Sequence, residues 1–142
     1  MDKTAPAPDY ALSEQVGFNL RRANQRHVAI FAKHVEDLTP TQFAALAKLH
    51  ETGAVSQNRL GRLTAMDSAT VKGVVERLRD KGHVRSRPDP NDQRLRLVEL
   101  TDGGRAAFAR ALPQALSARE ETLEGLAPGE VILFETLLQK LV

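Results

Sequence analysis

The 142-residue chain contains no cysteine. That excludes a disulfide frame, a thiol nucleophile, a thiolate zinc site and a cysteine redox sensor at one stroke. No apolar run approaches the roughly 18–20 residues of a membrane helix. The opening "MDKTAPAPDY" also lacks the charged-then-apolar order of a secretory signal. A cytoplasmic protein with no membrane partner is therefore expected. Missing too are G-x-S-x-G, a phosphate-binding loop and H-E-x-x-H, and the acidic residues are scattered, so the chain does not read as an enzyme and no cofactor is expected. His27 and His34 stand seven apart, about two helical turns, which puts them on one face but too far apart to chelate one ion without other ligands. No metal site is assigned.

What is present is one domain's worth of chain with an uneven distribution of charge. Residues 1–58 carry no net charge, residues 59–98 carry +5 and residues 99–142 carry −3. Lysine and arginine gathered in the middle of a chain suit a polyanion, because they release counterions condensed on phosphate.

Residues 1–9, with two prolines, read as a loose arm before a single domain over 10–142. From Tyr10 to Leu38 no proline occurs, and Leu12, Val16, Leu20, Ala23, His27, Ile30 and His34 recur at spacings of four and three, predicting one long amphipathic helix. Thr39 is placed to cap a second helix with Pro40 in its first turn, Phe43, Leu46 and Leu49 on one face, and Gly53 at its end. Ser56 caps a short helix with Leu60 and Leu63 inward. Asp67 caps the next, in which Val71, Val74, Val75 and Leu78 face a core and leave Ser68, Thr70, Lys72, Gly73, Glu76 and Arg77 outside. Two short helices tightly joined, the second polar and basic on its outer face, describe a helix-turn-helix. "HVRSR" and "LRLVELT" then flank the turn-rich "PDPNDQ", which predicts a β-hairpin wing. Thr101 or Asp102 caps a helix through "GGRAAFARALPQALSAREETLEGL" that Pro113 should bend or restart. "APGEVILFETLLQKLV" predicts a last helix, with Val131, Phe134, Leu138 and Leu141 on one side.

This order of elements, with "GHVRSRPDPNDQRLRLVELTDGGR", resembles the MarR family of winged-helix transcription regulators. The landmarks are Leu78, Gly82, Arg87, Asp92, Arg94, Leu100, Thr101 and Gly104 in sequence. Two departures stand out: Gln93, where the family often has a basic residue, and Gly73, where a larger polar residue often follows the recognition threonine. The resemblance implies a mainly α fold with a small β-hairpin wing: a winged helix-turn-helix over about 39–101 and dimerisation helices over about 10–38 and 102–142. It also implies an obligate homodimer, for which Leu12, Val16, Val131, Phe134, Leu138 and Leu141 are the candidate interface. The strongly apolar last helix agrees, since a chain this short has difficulty burying it alone.

The partner expected on this reading is double-stranded DNA carrying a pseudo-palindromic operator. Ser68, Thr70 and Lys72 lie on the helix half that enters a major groove, while Arg77, Gln57 and Asn58 are candidates for phosphate. By the resemblance Arg94 inserts in the minor groove and Asp92 braces it, since a narrow groove concentrates negative potential. Arg85, Arg87 and Arg96 along the wing meet phosphate or pair with Asp80, Asp89 and Glu99. In this family anionic aromatic compounds commonly lift repression, and a carboxylate or phenolic effector calls for arginine or histidine beside apolar walls. Arg21, Asn24, His27 and His50 are the candidates. The function expected is a repressor released by a small aromatic acid; the alternative is an effector-independent architectural dimer or protein adaptor.

Overall fold

The computed structural model describes residues 8–142, so residues 1–7 of the expected arm lie outside the described residues. A 3₁₀ turn at Leu12–Glu14 passes through extended Gln15 into α1, Val16–His34. The expected helix over Tyr10–Leu38 is thus shorter at both ends. At the start, Gln15 and Asn19 donate side-chain hydrogen bonds to the carbonyls of Ala11 and Ser13, competing with helical ones. At the end, Pro40 disfavours a helical Thr39, and Val35 and Leu38 turn into the core, 2% and 6% exposed.

Thr39 accepts from the backbone N–H of Gln42, whose side chain returns to Thr39 N, and this capping box opens α2, Pro40–Thr52. A two-residue strand β1, Val55–Ser56, leads into α3, Gln57–Leu63, capped by Ser56. Leu60 is fully buried, but Leu63, expected inward, is 39% exposed. The seven-residue helix ends there, and the chain folds back so that Met66 donates to Gly61 O and packs against the core in its place.

Asp67 accepts from Thr70 N at 2.7 Å to start α4, Ser68–Asp80, a bond that holds the Asp67 carboxyl below its ordinary pKa. Val71, Val74, Val75 and Leu78 are all buried. Gly82 follows in the left-handed region (φ 77°), where a side chain would be strained, and turns the chain into β2, Val84–Pro88. The partner strand β3, Arg96–Leu100, pairs antiparallel with β2 (Ser86 opposite Val98) and also with β1 (Val55 opposite Val98). The expected hairpin is therefore a three-stranded sheet of order β1-β3-β2. Two residues are too few for alternation to reveal a strand.

Thr101 caps α5, Asp102–Thr122, which runs unbroken through Pro113 and stops short of the expected Leu126. α6, Pro128–Gln139, follows. α5 packs against α1 and α2, and α2 against α4, so the core is a single cluster centred on Leu46, Leu49, Leu60, Val75 and Leu78. The start of α5 is bolted to the turn after α4. Thr101 donates to Gly82 O from its hydroxyl (2.6 Å) and to His83 O from its backbone (3.1 Å), and a Cβ on Gly104 would stand 1.9 Å from His83 O. Only glycine permits that approach.

Candidate nucleic-acid interface and effector cleft

The N-terminal half of α4 presents Ser68, Thr70 and Lys72 to solvent, while Val71, Val74, Val75 and Leu78 occupy the buried face. Arg77 is also exposed and lies back toward Gly73, with Nη1 3.3 Å from where a Cβ would stand there. At the start of α3, Asn58 is exposed and Gln57 half-buried.

At the wing tip the carboxylates organise the turn. Asp89 accepts from Asn91 N at 2.8 Å, and Asp92 Oδ1 accepts from both the backbone N (3.1 Å) and Nε (3.4 Å) of Arg94. Arg94 is anchored at its base while its side chain is 93% exposed. Along the strands, Arg85 and Arg87 each donate from Nε to a different oxygen of Glu99, at 2.8 and 3.1 Å. Those two hydrogen bonds hold the Glu99 carboxyl below its ordinary value. Arg87 is thus tied across the sheet. Arg96 instead lines a groove beneath the wing with Gln57, Arg85 and Arg79, whose Nη2 donates to Ser86 Oγ at 2.8 Å.

The polar face of α1 has a structural use that its sequence does not reveal. Arg26 donates to the carbonyls of Thr122 (2.8 Å) and Glu121 (3.1 Å) in the last turn of α5. Lys33 (2.5 Å) and His34 (3.2 Å) both meet Glu121 Oε1, which lowers that carboxyl's pKa. The Thr122 hydroxyl gives its proton to Ala118 O, so it accepts from His27 Nδ1 at 2.8 Å and leaves His27 Nε2 uncommitted. Both histidines considered for zinc are therefore bonded to α5.

His27 and His50 stand at the two ends of a row of rings. Centroid spacings along His27, Phe31, Phe43, Phe108 and His50 are 6.2, 5.9, 5.6 and 4.7 Å. His50 also borders a cleft of about 210 Å³ with Leu49, Gly53, Glu99, Leu100 and Arg105. Arg21 and Asn24 are not brought to this cleft; both are exposed on α1, and the Arg21 guanidinium lies 5.9 Å from the Phe18 ring centre. Glu99 and Arg105 were missed as cleft residues because neither shares a helix face or a motif with His50. They reach it only through the pairing of β3 and the docking of α5. Among the described residues no group of three or more His, Asp or Glu is placed to hold a metal ion, and no helix is long and apolar enough to cross a membrane.

Residues 38–95, from the end of the α1–α2 connection through the wing tip, match the model of the MarR family. The HTH-type transcriptional repressor NicR of Pseudomonas putida is 42% identical over 135 residues, covering 94% of this chain and 85% of NicR. The chain belongs to the MarR family. Solved structures with the MarR fold agree over nearly the whole chain. A probable transcriptional regulator from Pseudomonas aeruginosa superposes with a TM-score of 0.91 at 47% identity, covering 93% of this chain and all of that one. BpsR of Bordetella bronchiseptica, whose DNA binding is regulated by 6-hydroxynicotinic acid, superposes with a TM-score of 0.89 at 43% identity, covering 94% of this chain and 96% of BpsR. The MarR winged helix thus accounts for the helix-turn-helix, the wing and the flanking helices together.

Proposed function

We propose that this MarR-family regulator is a repressor that binds a pseudo-palindromic operator as a homodimer and is released by a small aromatic carboxylate. The observation that carries the reading is the wing tip: an arginine anchored at its base by Asp92 and otherwise almost wholly exposed, beside a recognition helix with Ser68, Thr70 and Lys72 outward. A guanidinium held this way loses little freedom on entering a narrow minor groove. Arg94 contacts the minor groove, Ser68, Thr70 and Lys72 read the major groove, and Arg77, Asn58 and Gln57 meet backbone phosphate. Arg87, held by Glu99, stiffens the wing.

The effector enters at His50, where the Phe108 ring and Leu49 supply apolar walls and Arg105 a cation; the other candidates, His27, Arg21 and Asn24, lie outside this cleft. Glu99 borders the same cleft and holds two wing arginines, so a carboxylate arriving there repels Glu99 and disturbs the wing. Regulation of BpsR by 6-hydroxynicotinic acid supports the choice of a ring-bearing acid.

The test is to select binding sites from random duplexes and titrate the winner with and without 6-hydroxynicotinate, benzoate and 3-hydroxybenzoate. The expected result is a two-fold symmetric site, weakened at least tenfold by one of the acids and not in the His50→Ala protein. Failure to select any sequence refutes the repressor; an operator affinity indifferent to every acid refutes the effector.

A further inference from the structure

Beside α5 lies a cavity of about 400 Å³. Three segments meet around it: the α1–α2 connection supplies Val35 and Leu38, the turn after α4 supplies Lys81 and His83, and α5 supplies Ala107 and Arg110. It shares no lining residue with the cleft at His50. Its volume is of the size that small organic ligands occupy.

The chemistry of its walls is selective. Val35, Leu38 and Ala107 are buried core residues, so the floor is apolar. His83 Nδ1 is fully buried and has no hydrogen-bond partner, although a buried ring nitrogen without one is costly. Arg110 makes no hydrogen bond or ion pair among the described residues. Lys81 is committed at two of its three protons, to Asp37 O and to Gln42 Oε1 at 3.1 Å. Two acids, Glu36 and Asp37, also border the cavity. The influence of Lys81 and of Arg110 on the imidazole each exceeds that of Asp37, and together with burial they push His83 below its ordinary pKa. In formal charge Lys81 and Arg110 balance Glu36 and Asp37, and Arg110 is the cation left without a partner among the described residues.

We infer that this cavity is a second small-molecule site, which takes a small organic monocarboxylate with a flat apolar body and a hydroxyl or ring N–H. Arg110 and the free proton of Lys81 receive the carboxylate, Val35, Leu38 and Ala107 flank the body, and His83 Nδ1 meets the hydroxyl. A hydroxyl satisfies that nitrogen in either tautomer, because it both donates and accepts. A dianion is disfavoured by Glu36 and Asp37. The site has a mechanical position as well. Lys81 and His83 directly follow the recognition helix, and the backbone of His83 is bolted to the start of α5, so the ligand bridges the recognition helix to a dimerisation helix.

The experiment uses the full chain in the His50→Ala background, so that binding at the cleft does not contribute. 3-Hydroxybenzoate is titrated by calorimetry while the ring resonances of the three remaining histidines, His27, His34 and His83, are followed by NMR. Saturable binding with a shift confined to His83 is expected, weakened at least tenfold by adding Arg110→Ala and partly restored by Arg110→Lys; benzoate, lacking the hydroxyl, binds more weakly. Thermal melts of the ligand-free proteins establish that each variant is folded. Absence of saturable binding up to roughly 10 mM overturns the site. So does binding that survives Arg110→Ala unchanged or leaves the His83 resonance in place. The operator titration above stands apart from both outcomes.

Discussion

α4 and α6 are nearly equal in length, and they spend their apolar residues in opposite ways. α4 buries all four of its large apolar residues, Val71, Val74, Val75 and Leu78, inside its own protomer, which leaves Ala69 as the one apolar side chain on a mainly polar outer face. α6 is richer in apolar residues and buries none: Ile132, Leu133, Phe134 and Leu137 are between 42% and 69% exposed, as is Leu141 just beyond it at 70%, and the helix holds to α5 partly through an Arg119–Glu135 ion pair. An exposed apolar surface of this kind is unfavourable in water until something covers it. The recognition helix buries its apolar face within one chain, whereas the terminal helix leaves an apolar face uncovered, which is the interface proposed for the homodimer.

The comparison breaks most decisively at α6. Leu138→Asp places a charge in the proposed interface at a cost of several kcal/mol, and sedimentation at micromolar concentration should show monomers with little loss of helix. A variant that remains dimeric removes α6 from the interface. Leu78→Ala probes the other helix. It empties a fully buried position and should lower protomer stability by about 2–5 kcal/mol in chemical denaturation, with oligomeric state unchanged wherever the chain is folded.

On DNA the two parts of the winged helix should separate by salt dependence. Arg94→Ala should weaken operator binding at least tenfold with a shallower salt slope, while Thr70→Ala relaxes the preference at one base pair and leaves the slope nearly unchanged. Asp92→Ala should show part of the Arg94 defect and add little to it in the double variant, as expected of a brace. Equal affinity of wild type and Arg94→Ala would leave the wing off the DNA.

The smallest effect lies at the end of α4. Because burial and the nearby Lys81 and Arg110 hold His83 below its ordinary value of 6.5, the unfolded chain takes up this proton before the folded one does. Stability should therefore decline as pH falls below that value and level off once the folded-state pKa is passed. His83→Gln should flatten that slope, measured by urea unfolding at several pH values; an unchanged slope assigns it to other groups.

The elements were legible wherever one local signal decided them. Thr39, Ser56, Asp67 and Thr101 are caps that act within three residues, and the spacing of Val71, Val74, Val75 and Leu78 shows its buried face directly. The arginine–aspartate pairing at "DPNDQR" was legible for the same reason, since Asp92 and Arg94 are two residues apart. β1 was not, because it has two residues and exists only through β3. Leu63 was misplaced because helical periodicity does not foresee Met66 folding back to fill the position.

Sequence alone, then, determined the helix caps, the amphipathic recognition helix, the wing turn and the family, all of which depend on groups close together along the chain. Tertiary structure alone decided what the polar side chains do. Arg26, His27, Lys33 and His34, of which only His27 was a ligand candidate by sequence, are bonded to the end of α5 from nearly ninety or more residues away. Glu99 joins Arg85, Arg87 and the His50 cleft only once the sheet has paired and α5 has docked. A charged side chain takes whichever partner the fold brings within about 3 Å, and periodicity carries no record of that partner.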